Sequence, residues 1–71
     1  MSIKEKLLSL KKGDYILHLR GGYELKFAEA SFVKRKPDKV HFFSKQGWVV
    51  AYNVKYDDVV GVEGADGRKY I

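Results

Sequence analysis

Four cations cluster in one short stretch of the chain, Lys34, Arg35, Lys36 and Lys39. The stretch separates two segments that alternate apolar and polar residues, so a turn is expected there. Lysines near strand edges prevent aggregation, but four cations on one turn exceed what edge protection requires. Cations in such a cluster contact the phosphates of nucleic acids. We call residues 34–39 the basic tip and take it as the main candidate for a binding site.

Aromatic and basic residues follow the basic tip. If Val40 and Phe42 face the core of the next strand, then His41, Phe43 and Lys45 face outwards. Bases stack on exposed rings while cations contact the phosphates of a single strand. The pattern favours neither DNA nor RNA. The residues predicted to bind nucleic acid are therefore Lys34, Arg35, Lys36, Lys39, His41, Phe43 and Lys45.

Catalytic and metal-binding patterns are not recognisable. The chain has no Cys and no Thr, and His18 and His41 lie on separate predicted strands. A catalytic triad needs a nucleophile, a base and an orienting acid within reach of one another, and zinc ligands have a recognisable spacing. Asp57 and Asp58 are expected to stabilise a turn, because Asp side chains accept hydrogen bonds from nearby backbone. We expect a protein that is not an enzyme and that uses no metal or cofactor.

The composition is that of one small folded domain, residues 1–71. The chain is 45% apolar and has a net charge of +5, which suits nucleic acid or an acidic protein surface as a partner. The absence of Cys suits a reducing compartment, and no apolar run reaches the roughly 18 residues of a membrane span. We therefore expect a cytoplasmic protein with no membrane partner.

The first segment, residues 2–12, is predicted to be a helix. Ser2 and Glu5 have the spacing of a capping box, and Ile3, Leu7 and Leu10 form one apolar stripe. Gly13 is expected to end the helix. Because so short a helix is marginal in water, it must dock on the rest of the domain.

The remaining chain has the period of β-strands. Gly21-Gly22 predicts a hairpin turn. In the following strand the apolar phase slips at Phe27-Ala28, which predicts a bulge or sharp bend. Three more strands are expected at 40–44, 48–55 and 59–63, with a C-terminal hairpin or tail at 62–71 around Asp66-Gly67.

The strand at 48–55 is apolar on both faces, so alternation does not decide which face is buried. If the core is filled by Trp48, Val50, Tyr52 and Val54, then Val49 and Ala51 lie on the opposite face and point outwards. That outward surface is large for a small domain. Either the N-terminal helix or a second subunit could cover it, and we favour the helix closing one end of the core.

The order of elements resembles the SH3-like and Sm-like small barrels over residues 2–63. The likeness is carried by Gly21-Gly22, by the slip at Phe27-Ala28, and by the closing turn and strand at 56–62. The RNA-binding Asp/Asn and Arg-Gly signatures of Sm proteins are not recognisable, so no binding residue is carried over. The resemblance implies a mostly-β fold, in which a short N-terminal α-helix precedes a five-stranded, strongly bent antiparallel SH3-like or Sm-like barrel at 14–63.

Two functions are compatible with these patterns. The leading hypothesis is a non-enzymatic nucleic-acid-binding module that uses the basic tip and an exposed aromatic residue. The alternative is a module that binds an acidic or proline-containing protein, or forms a homo-oligomer through Val49, Ala51 and a sheet edge, without any nucleic-acid role.

Overall fold

The computed structural model describes residues 2–71, so the Met1 end of the predicted domain lies outside the described residues. One short helix precedes five antiparallel strands, which confirms the predicted mostly-β class. In chain order the elements are α1 Ile3–Leu8, β1 Gly13–Leu19, β2 Tyr23–Phe32, β3 Lys39–Phe43, β4 Val49–Asn53, the 3₁₀ helix Tyr56–Asp58, and β5 Val59–Gly64.

The five strands form one sheet in the order β4-β3-β2-β1-β5. The long strand β2 holds the sheet together, because it pairs with β1 and also with β3. Within residues 2–71, β4 pairs only with β3, so β4 and β5 are the two edges of the sheet. Closure of the sheet into an SH3-like or Sm-like barrel stays a prediction.

A bend in β2 confirms the predicted phase slip, one to two residues later in the chain. Tyr15 lies opposite Phe27, but Gly13 lies opposite Ala30, so β2 carries one extra residue there. Glu29 takes a left-handed conformation with φ of 50°, and its N–H donates to Asp14 Oδ1 at 2.9 Å. The bend lets one strand leave β1 and continue along β3.

Helix α1 is shorter than the predicted 2–12. Its start is as expected, since the Ser2 hydroxyl accepts from the Glu5 N–H at 3.1 Å. The helix ends at Leu8, because the Ser9 hydroxyl donates to the Lys6 carbonyl at 2.7 Å and occupies one of the acceptors left free at a helix end. Gly13 therefore begins β1 rather than ending the helix, and the intervening residues form a connection.

The turns follow the glycine pattern of the sequence. Gly21 and Gly22 have φ of 91° and 86°, a region that side chains with a Cβ rarely occupy. At the C-terminus, Gly67 also has positive φ. There the Gly64 N–H donates to the Arg68 carbonyl at 2.7 Å, which turns the chain back along β5.

The core lies mainly between α1, the β1–β2 hairpin, β5 and the 3₁₀ helix. Leu7 is fully buried and docks α1 on the core, next to the 3₁₀ helix. In residues 2–71 no helix has the length and apolarity needed to cross a bilayer. The buried apolar residues are Leu7, Tyr15, Leu17, Phe27, Ala30, Phe32, Val40, Val54, Tyr56, Val59 and Val62.

Candidate nucleic-acid interface

The basic tip forms the exposed loop between β2 and β3. Lys34, Arg35 and Lys36 are all exposed. The Val33 N–H donates to the Lys39 carbonyl at 3.0 Å and closes the base of the loop. Three cations therefore project from a short loop whose two ends are held together.

Tyr56 ties this loop to the core. Its ring is fully buried, and the single proton of its hydroxyl is shared between the Val33 carbonyl, at 3.0 Å, and the Lys39 carbonyl. Burial raises the pKa of the Tyr56 phenol, and the nearby Asp38 carboxylate acts in the same direction. The neutral phenol is thus the form that holds the base of the loop.

The one carboxylate of the basic tip, Asp38, is turned inwards. Its Oδ2 accepts from the Tyr56 N–H at 3.1 Å, and its Oδ1 lies 3.3 Å from Lys4 Nζ. That contact is an ion pair without hydrogen-bond alignment, because Oδ1 has no hydrogen-bond partner among residues 2–71. The Asp38 carboxylate thus contacts the 3₁₀ helix and α1. It does not pair with the three exposed cations of its own loop.

A further cation, Lys55, joins the basic tip. It lines a groove of about 590 Å³ together with Lys36, Pro37 and Asn53, and Asp38 is the one acidic residue of that lining. Sequence reasoning did not select Lys55, although a signal was present. In an antiparallel pair whose first strand follows the basic tip, the residues after the second strand return to the same end.

The other predicted residues extend away from the loop along β3. Lys39 is half-buried at the start of the strand, His41 is exposed, and Phe43 is half-buried at the end. These three share one face of the strand, since side chains alternate. At about 3.3 Å per residue, Lys39 and Phe43 are about 13 Å apart, and Lys45 lies beyond them in the next turn. The predicted set is therefore a line of residues, not one cluster.

Phe43 has an intramolecular partner. The Lys12 ammonium lies 5.0 Å from the centroid of its ring, within the range of a cation–π contact. Lys45 lines a second groove, of about 570 Å³, in which Phe43 and Lys26 also take part. A base that stacked on the face of the Phe43 ring that Lys12 covers would have to displace Lys12.

Strand β4 differs from the expectation that one of its faces fills the core. Trp48 is 70% exposed and Val49 is 64% exposed, although they point to opposite faces, and all of β4 is exposed. Only Val54, beyond the end of the strand, is buried. Edge position alone does not explain this, because β5 is also an edge strand and its Val59 and Val62 are buried. The difference is the covering layer, since α1 docks next to the 3₁₀ helix rather than on β4.

The net charge of the chain is concentrated in one segment. Residues 33–55, which we call the basic segment, contain six Lys or Arg and one acidic residue, Asp38, a net charge of +5. The rest of the chain holds eight basic and eight acidic residues and is neutral. The whole net charge therefore lies on β3, β4 and their loops.

His18 lies outside this surface. Its Nε2 is 2.9 Å from Glu63 Oε1 and its Nδ1 is 3.6 Å from Glu24 Oε1, so it joins β1 to both neighbouring strands. The two carboxylates contact opposite nitrogens of the ring. Across residues 2–71, no group of three or more His, Asp or Glu side chains could hold a metal ion.

Comparisons with known proteins identify no family. No protein-family model matches the chain, and no curated protein and no solved structure is significantly similar to it. The likeness to SH3-like and Sm-like barrels therefore rests on the order of helix, bent strands and turns alone.

Proposed function

We propose that this chain is a non-enzymatic nucleic-acid-binding module. The observation that carries the proposal is the exposed, anchored loop with Lys34, Arg35 and Lys36, which lies in a segment that holds the whole net charge of the chain. Cations on a fixed loop contact phosphates with little loss of backbone entropy. Lys55 adds a cation beside the loop, across the groove that also contains Pro37.

The cations of the basic tip would mainly contact phosphates of the nucleic acid. Lys39 and Lys45 extend the basic surface along and beyond β3. His41 and Phe43 stay predicted stacking residues, with Lys12 as a competitor for the Phe43 ring. This arrangement requires neither a catalytic group nor a cofactor, and a cytoplasmic location stays a prediction.

The test is a titration of labelled oligothymidylate, oligouridylate and a DNA duplex at about 50 mM and about 200 mM salt. Each phosphate contact with a single strand changes the slope of log K against log salt by about −0.7. The variant Lys34→Ala/Arg35→Ala/Lys36→Ala should therefore weaken binding at low salt and reduce the slope by about 2. If none of the three probes binds at low salt, the proposal is wrong.

A matched control removes the same charge elsewhere. Lys6, Arg68 and Lys69 are exposed and lie outside the basic segment. Their triple alanine variant has the same net charge as the basic-tip variant, and its affinity should stay within about twofold of the wild type. An equal loss in both triple variants would mean that overall charge, not the basic tip, governs binding.

A second candidate function is self-association through β4. The exposed Val49 and the unpaired edge of β4 favour it, because an uncovered apolar edge strand is a template for pairing with another chain. Sedimentation of the wild type over a range of concentrations tests this. A monomer throughout removes the candidate.

A further inference from the structure

We propose that Tyr52 of β4 and Trp48, the residue just before β4, stack the bases of a single-stranded nucleic acid, whose phosphates contact cations at both ends of that strand. This inference rests on the proposed function and deepens it, because it names the form of nucleic acid and the residues that distinguish it. It also moves base contact from Phe43 and His41 to the opposite face of the sheet.

Trp48 and Tyr52 lie on one face. Val40 pairs with Tyr52 and Phe42 pairs with Val50 across the β3–β4 ladder, and directly paired residues share a face. Trp48 continues this alternation, as its carbonyl accepts from the Ser44 N–H at 2.8 Å. Trp48 is 70% exposed and Tyr52 43% exposed, so both rings are accessible to a ligand.

Buried aromatic rings support this face. The Tyr52 and Phe27 centroids are 5.8 Å apart, and those of Phe27 and Phe42 are 4.8 Å apart. Phe27 belongs to the core and Phe42 packs against it. The Tyr52 ring is thus held at the margin of a packed cluster, and such preorganisation lowers the entropy lost on binding.

The charge around β4 matches a polyanion. From Lys39 to Lys55 the chain contains no Asp or Glu. Lys45 lies in the turn before β4, while Lys55 follows it and shares a groove with Lys36. An apolar, aromatic strand with cations at both ends and no carboxylate between them has the composition of a single-strand platform.

The spacing suits unpaired bases. Trp48 and Tyr52 are about 13 Å apart along β4 at about 3.3 Å per residue, with the half-exposed Val50 between them. The faces of bases inside a duplex are already stacked on their neighbours, so only a single strand can offer them to these rings. A second copy of this chain is a less suitable occupant, because it would bring two segments of net charge +5 together.

Trp48 is the one tryptophan of the chain, so emission excited selectively in tryptophan, and not in the five tyrosines, reports on this face. Oligothymidylate or oligouridylate should quench the emission, and a DNA duplex should quench it much less. Heparin, a polyanion without bases, should compete for the basic tip without the same quenching. Equal quenching by heparin would mean that charge, not stacking, changes the environment of Trp48, and would overturn the inference.

Substitution supplies the second measurement. Trp48→Ala should weaken oligothymidylate binding about 5- to 100-fold and Tyr52→Leu about 5- to 10-fold, in line with the loss of one stacked base each. Tyr23→Ala is the matched control, since Tyr23 is 69% exposed but lies beside Glu24, outside the basic segment. Its affinity should stay within about twofold of the wild type.

The outcomes separate this inference from the function it rests on. Salt-dependent oligonucleotide binding that leaves Trp48 emission and the Trp48→Ala affinity unchanged overturns the inference and keeps the basic tip as the site. Absence of binding by any oligonucleotide at low salt overturns both. A wild type that sediments as a dimer and a Trp48→Ala variant that sediments as a monomer would identify the face as a self-association surface, which also overturns the inference.

Discussion

Strands β1 and β4 are both rich in apolar residues, but β1 is largely buried or half-buried and β4 is exposed. In β1, Tyr15 and Leu17 are buried at 6% and 0% exposure. In β4, Val49 and Tyr52 are 64% and 43% exposed, although the strand is at least as apolar. Strand β1 has β2 on one side and β5 on the other, whereas β4 has β3 alone. Edge strand β5 also has one neighbour, yet its Val62 is buried. Burial therefore follows the layer that covers the face of a strand, not the hydrophobicity of the strand itself.

The residues that stabilise the fold and the residues proposed to bind nucleic acid lie largely in different regions of the chain. The basic segment contributes only Val40 and Val54 to the buried core, and it carries the whole net charge of the chain. The neutral remainder supplies the other core residues. Substitutions in the neutral remainder should accordingly affect folding more than substitutions in the basic segment.

The largest effect is expected from one substitution made in both regions. Val62→Ala in β5 removes methyl groups from a fully buried side chain and should lower the free energy of unfolding by about 2–3 kcal/mol. Val49 in β4 is 64% exposed, so Val49→Ala should change the free energy of unfolding by about 0.5 kcal/mol or less. Urea denaturation measures both. An equal cost at Val49 would mean that β4 is covered in solution.

A smaller effect is expected from alkaline pH. Burial raises the pKa of the Tyr15 and Tyr56 phenols above their ordinary value of 10.0. The folded state therefore favours the protonated phenols. The stability that they contribute is complete below about pH 10 and is lost as pH rises through their folded-state pKa values. The urea midpoint should stay flat up to about pH 10 and fall above it.

Tyr56→Phe provides the control for this titration. The substitution leaves the Val33 and Lys39 carbonyls without their phenol donor and should cost about 1–3 kcal/mol at neutral pH. It should also flatten the alkaline fall, because one of the two titrating phenols is gone. A variant as stable as the wild type would show that Tyr56 does not anchor the basic tip.

The smallest effect concerns the bend that joins the two regions. Glu29 has a positive φ of 50°, so Glu29→Gly should relieve backbone strain and stabilise the fold by up to about 1 kcal/mol. Lys26→Gly, in the regular part of the same strand opposite Ile16, should instead destabilise it by about 0.5–1 kcal/mol. Thermal unfolding distinguishes the signs. Destabilisation by both substitutions would contradict a strained bend at Glu29.

Much of the local structure is predictable from the sequence. The Ser2 cap, the Gly21-Gly22 turn and the bend in β2 each depend on residues close together in the chain. A cap needs an acceptor at one position, a hairpin turn needs positive φ, and an extra residue reverses the faces of a strand. Such requirements are visible without knowledge of distant contacts. The exposed basic tip was predictable for the same reason.

The parts of the candidate site that sequence reasoning missed depend on distant residues. Lys55 joins the basic tip through the β3–β4 pairing, and Lys12 reaches Phe43 from the connection that precedes β1. The end of α1 at Leu8 also required the structure, because the apolar stripe itself continues to Leu10.

For this protein the sequence by itself determined the elements, the turns and the concentration of positive charge in residues 33–55. Only the tertiary structure decided that Trp48 and Tyr52 would lie exposed beside that charge. Both faces of β4 are apolar, so its pattern is compatible with either face being buried. Burial depends on what lies above a side chain, and elements that are distant in the sequence supply that covering layer.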